Sequence, residues 1–146
     1  MHLSKHVTVE EFEQSNTATR KGINNKMSNE QTNNASRLCI NVFEPLREAL
    51  GNKPIQISSG FRSIALNKRI GGSSTSQHCK GEAMDLKIDS KGFFYIKDNL
   101  NFDQLIWEFG TTDQPSWVHV SYSTNNRKQV LRAIKSGGKT KYLPFK

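Results

Sequence analysis

The chain has 146 residues, enough for one domain to bury a real core without disulfide staples. Hydrophobic residues make up 34% of it, with no apolar run long enough to cross a bilayer and no hydrophobic segment behind a basic start to act as a secretion signal. A formal charge of +8 favours polyanionic surroundings but suits nucleic acid, anionic membranes and bacterial wall polymers equally, so charge alone selects no function.

Thr8 followed by Glu11 makes a capping box for a short helix anchored by Phe12, and residues 15–25 are polar and turn-rich, which predicts a surface loop. His2 and His6, in the N-terminal segment, are expected in solvent. Ser28 and Gln31 form a second capping box. Behind it Ala35, Leu38, Cys39, Val42, Phe43, Leu46 and Leu50 recur at three- and four-residue spacing, the apolar stripe of a long helix that Pro45 should bend and Gly51 should stop. Ile55-Gln56-Ile57 reads as a strand leading into the turn Ser58–Ser63, and a brief helix through Leu66 to Ile70 follows. The Gly/Ser-rich loop from Gly71 to Ser76 lacks the lysine and hydroxyl residue that end a phosphate-binding loop.

Ser76-Gln77-His78-Cys79-Lys80-Gly81-Glu82-Ala83-Met84-Asp85 comes next, an imidazole and a carboxylate seven residues apart around a glycine that lets the backbone turn. Met84, Leu86 and Ile88 alternate with Asp85 and Lys87, which aims Asp85 away from the core. A weakly patterned helix is expected from Phe93 to Leu100. Leu105–Phe109 and Trp117–Tyr122 read as a hairpin whose loop carries Asp113 and Pro115; Trp117, His119 and Ser121 share the face opposite Val118, Val120 and Tyr122. Val130 to Ile134 predicts a last strand or short helix, and the basic end from Lys135 to Lys146 a solvated or wall-attracted tail. Two histidines and one aspartate, His78, Asp85 and His119, make a zinc site with an open fourth position, the arrangement of catalytic rather than structural zinc. Cys79, the sequence neighbour of His78, points to the opposite side of an extended backbone, and Cys39 and Cys79 are expected as free thiols.

With these residues assembled, the sequence resembles the zinc D-alanyl-D-alanine carboxypeptidases and L-alanyl-D-glutamate endopeptidases, peptidoglycan metallopeptidases that include phage endolysins. The resemblance runs from about Val7 to Ile134 and rests on Ser59-Gly60-Phe61-Arg62-Ser63, on Ser76-x-His78-x-x-Gly81-x-Ala83-x-Asp85 and on Trp117-x-His119-Val120. It implies a small single-domain α+β fold with an antiparallel sheet and flanking helices, related to the hedgehog signalling domain, with zinc on His78, Asp85 and His119. Many members carry an acid three residues before the last histidine, where this chain has Ser116. The hedgehog domain has Phe-Asp, four residues, then Glu on the preceding strand; Phe102-Asp103 and Glu108 reproduce that spacing. Glu108 is therefore the first candidate for the catalytic base and Asp113 the second. The resemblance sets Arg62 beside the substrate, where its fork would hold a carboxylate or carbonyl, against the alternative of a surface arginine paired with an acid. Ser76 either orients His78 or the substrate, or simply forms a turn; Trp117 either walls the pocket or belongs to the core.

Three readings follow. The first is a zinc peptidase of peptidoglycan stem peptides, monomeric, phage- or prophage-encoded, made in the host cytoplasm and acting at the cell wall or periplasm after release by a holin or delivery in a virion. The second is a zinc-stabilised binding module without hydrolysis. The third, a nucleic-acid binder, has only the charge behind it and no recognition motif.

Overall fold

The capping box at Thr8 sets the first helix, α1 (Val9–Glu13): the Thr8 hydroxyl accepts from the Glu11 amide while Glu11 reaches back to the Thr8 N–H, and Phe12 is fully buried. The structure, a computed structural model, describes residues 1–146. Ahead of α1, β1 (His2–Ser4) and β2 (Val7–Thr8) form a two-stranded antiparallel ribbon. His6 is not simply solvated: its Nδ1 lies 2.7 Å from Glu44, whose carboxylate also accepts from Ser4 and the His6 amide. The expected loop at 15–25 contains a helix, α2 (Asn16–Lys21), because Ser15 caps it and Gly22, at φ 63°, ends it.

The long helix begins at its capping box as α3 (Asn29–Leu38), continues as a π-helical turn (Cys39–Phe43) and ends as α4 (Glu44–Ala49). Pro45 explains the middle piece. It lacks an N–H to continue the ladder and its ring crowds the preceding turn, so the chain widens to a bond from the Glu44 amide to the Cys39 carbonyl rather than break.

A six-stranded sheet in the order β3-β4-β6-β5-β7-β8 forms the centre. Its strands are β3 (Ile57–Ser59), β4 (Ala83–Leu86), β5 (Gln104–Glu108), β6 (Trp117–Ser121), β7 (Gln129–Ser136) and β8 (Lys139–Pro144). Helices α5 (Ile64–Arg69) and α6 (Ser90–Asn99) lie between strands in sequence. Met84, Leu86, Leu105, Trp107, Val118 and Val120 alternate onto one face and are buried with Leu38, Val42, Leu46, Phe93 and Ile96 of the helices. Burial of each such side chain is worth about 1.5–3 kcal/mol, so this face fixes the register; a slip of one residue would send all six to solvent.

Two sequence expectations are corrected at the C-terminal end. The sheet is not wholly antiparallel, since β7 runs parallel to β5. After β6 the chain crosses to the far side of β5, where Lys128 and Gln129 donate backbone hydrogen bonds to Phe102 and Asp103. The basic tail is largely exposed, as expected, but it is ordered as β8, hairpinned to β7 through Gly137 and Gly138, both with positive φ; beyond it the half-buried Phe145 joins Phe93 and Trp107, with ring centroids 4.9 and 5.7 Å away.

Candidate metal centre

The face of the sheet opposite the helices carries Asp85, His119 and Glu108. Asp85 and His119 are direct cross-strand partners on β4 and β6, as the alternation of their strands requires. His78 arrives from outside the sheet on a single 3₁₀ turn (Gln77–Lys80), capped by the Ser76 hydroxyl on the His78 amide and ended by Gly81 at φ 76°. A side chain at Gly81 would place its Cβ 2.4 Å from the Gln31 carbonyl oxygen, so the turn seats directly on α3. Two amides of that helix hold it there, Gln31 donating to the Cys79 carbonyl and Asn34 to the Lys80 carbonyl.

His78 Nδ1 lies 2.7 Å from the Gly60 carbonyl, which only accepts, so Nδ1 carries the proton and Nε2 presents its lone pair. Asp85 Oδ1 is 3.5 Å from His78 Nε2 and 3.0 Å from His119 Nδ1. Two ligands at zinc distance in a tetrahedral arrangement are separated by about 3.3 Å, which these values bracket, and the donors of all three residues lie within 4.8 Å of one another. The two-nitrogen, one-carboxylate set therefore fits zinc. Burial holds the His78 imidazole below its usual pKa against the pull of Asp85, keeping it in the neutral form that ligates metal. Burial alone would raise the Asp85 carboxyl; hydrogen bonds and charge from His119 and His78 outweigh it and hold it well below the usual carboxylate range. Cys79 is half-buried outside the cluster and its thiol is pushed up by burial, while Cys39 is buried and pushed up to about 12; both are free thiols.

Glu108 is buried, on the same face, two residues along β5 from the His119 partner Ile106 and opposite Trp117. Burial pushes its carboxyl up to about 7; Asp85 adds to the rise, and His119, the Trp117 indole and Arg62 oppose it. The half-buried Trp117 lies on the same sheet face, across from Glu108, and packs on Phe109 at 5.3 Å. Asp113 stands exposed in the β5–β6 loop, its carboxylate without a hydrogen bond or ion pair, and is not gathered into the cluster. Arg62 forms no ion pair with any carboxylate, contrary to the surface-pair alternative. Its amide donates to the His78 carbonyl, one guanidinium nitrogen is 3.5 Å from Ser76 Oγ, and its buried Nε has no partner.

Sequence reasoning missed the supports. Buried Asn25 donates to the Glu13 and Phe61 carbonyls and accepts from the Ser63 amide, pinning the loop that offers Gly60 and Arg62. Asp103 accepts two bonds from the Arg127 guanidinium and one from Gln77, the neighbour of His78; these hold its carboxyl down at about 2. No local pattern marks Asn25; Asp103 stands in the Phe102-Asp103…Glu108 spacing, but its bracing role depends on Gln77 and Arg127, distant in sequence.

The zinc D-Ala-D-Ala carboxypeptidase of Streptomyces albus G is 46% identical to this chain over 51 residues, which is 35% of this chain and only 20% of that protein's length. The profile of the Peptidase M15 family matches residues 5–121, a span containing His78, Asp85, His119, Glu108 and Arg62. Both findings agree with the family expected from the motifs, and the chain belongs to the Peptidase M15 family.

Proposed function

We propose that this chain is a zinc-dependent peptidase that hydrolyses bacterial peptidoglycan stem peptides, of D-Ala-D-Ala carboxypeptidase or L-Ala-D-Glu endopeptidase type. The observation that carries this reading is a zinc-fitting His78-Asp85-His119 cluster with a buried carboxylate, Glu108, on the same sheet face. The family and the named relative support the same chemistry. Zinc bound there would acidify a water and polarise the scissile carbonyl.

The protein's own part follows from charge. Glu108 takes the proton of the attacking water as its oxygen bonds to the carbonyl carbon, then gives it to the amine as the C–N bond breaks; a carboxyl near neutrality suits both transfers. Arg62, a cation without a carboxylate partner, holds a carbonyl or carboxylate of the peptide, and its unused Nε is a donor awaiting an acceptor. Trp117 lines the cleft, and Ser76 holds both the 3₁₀ turn and Arg62. The motive for a binding module without hydrolysis was the missing acid at Ser116, and Glu108 offers the carboxylate that Ser116 lacks. The narrower role, a phage or prophage endolysin or a virion-associated hydrolase, rests on the resemblance to a family that includes phage endolysins, with which a charge of +8 beside an anionic wall is compatible.

Incubating the protein with peptidoglycan, with and without chelator, and identifying new termini by mass spectrometry tests the reading. Chelator-sensitive release of peptides is expected; no release by protein carrying one equivalent of zinc would leave the binding module. His78→Ala, Asp85→Ala and His119→Ala should each lose tight zinc.

A further inference from the structure

Tyr142 belongs to the segment expected to be solvated tail, and the sheet register puts it elsewhere. Residues paired across neighbouring strands share a face. Trp117 pairs with Glu108, Glu108 with Ala133, and Ala133 with Tyr142, one row from β6 to β8 on the metal face. Ala133 is fully buried and small, so no side chain of size stands between the phenol and Glu108. Tyr142 itself is 54% exposed, far too open for a core residue, and its hydroxyl makes no hydrogen bond within the protein. Burial raises the phenol's pKa, the negative charges of Glu108 and Asp85 raise it further and Arg62 lowers it, as the shared sheet face leads one to expect.

We propose that Tyr142 is a substrate-contacting residue of the peptidase site, its ring forming the wall opposite Arg62 and its hydroxyl donating a hydrogen bond to an acceptor oxygen of the bound peptide. This rests on the peptidase reading and adds the C-terminal hairpin, which lies beyond the family match at residue 121, to the substrate cleft. The hydroxyl is a free donor, and the row that starts at Trp117 and passes through the candidate base ends on this ring.

Tyr142→Phe removes only the hydroxyl, and Tyr142→Ala also the ring. Lys141→Ala, on the same strand but the other face, serves as control. Each zinc-loaded protein would be compared with wild type for zinc content, melting temperature, kcat and KM on a soluble stem pentapeptide, and calorimetric affinity for that peptide in a Glu108→Gln background. Tyr142→Phe is expected to keep zinc and melting temperature, lose roughly five- to tenfold in kcat/KM and weaken peptide binding by a similar factor, as befits one hydrogen bond; Tyr142→Ala should lose more and Lys141→Ala nothing. Unchanged kinetics and affinity in Tyr142→Phe would overturn this inference alone. A wild-type protein that neither binds nor cuts the peptide would overturn both it and the proposed function.

Discussion

Glu108 and Asp85 are carboxylates on one sheet face with opposite fates. Asp85 sits between two imidazoles and stays ionised; Glu108 has burial as its dominant influence and is pushed to about 7. That separation assigns one to ligation and the other to proton transfer. Glu108→Gln should keep one equivalent of zinc and the fold while kcat falls by about 10²–10⁴, measured as peptide release per equivalent of bound zinc; near-normal turnover would move the base to Asp113 or elsewhere. The candidate was readable in the sequence, since the resemblance to the hedgehog domain's Phe-Asp, four residues, Glu pattern pointed to Glu108. Its pKa was not, because it is set by what the fold packs around it.

At the scale of elements, the 3₁₀ turn that delivers His78 is held from two sides. Gly81 lets it seat on α3, and Gly81→Ala would combine a left-handed backbone with a Cβ against the Gln31 carbonyl, a cost of about 2 kcal/mol or more. Calorimetric unfolding and zinc titration should show both stability and metal affinity reduced; an unchanged affinity would mean that the turn tolerates displacement. On the other side, Asp103 joins the turn through Gln77 to the crossover through Arg127. Its folded pKa, about 2, lies below the ordinary carboxylate value, so the stability it contributes is fully present above about pH 4 and is lost as pH falls through about 2. With Arg127 half-exposed, solvent screening leaves roughly 1–2 kcal/mol. The gap in unfolding free energy between wild type and Asp103→Asn should therefore shrink steadily between pH 4 and 2, and a gap constant over that range would deny the ion pair its role.

For the whole molecule, the C-terminal hairpin closes the core as well as bordering the cleft. Phe145 lies against Phe93 and Trp107, and Arg132 stacks over the Trp107 ring at 5.5 Å. Phe145→Ala should cost about 2 kcal/mol, below the roughly 3–5 kcal/mol of a fully buried phenylalanine, and lower the melting temperature by several degrees. A melting temperature unmoved by the change would return the last residues to the status of a solvated tail. Lys128 lies over the Phe102 ring and Lys135 over the Phe109 ring, each keeping its charge exposed on the surface.

The sequence by itself determined what depends on local pattern. Both capping boxes and the alternation that turns Asp85 and His119 away from the core are properties of residues within about a turn or a strand of one another, and the three zinc-ligand candidates were legible from their residue types in two short motifs. Only the tertiary structure decided what depends on distant partners. Ser15 and Gly22 make a helix of a polar stretch; Pro45 is absorbed by a π turn instead of breaking the long helix; Asn25 and Asp103 brace loops more than 20 residues away. The tail became a strand because β7 had a free edge and Trp107 an open flank. Those needs exist only once the sheet has assembled, and no periodicity in the last twelve residues records them.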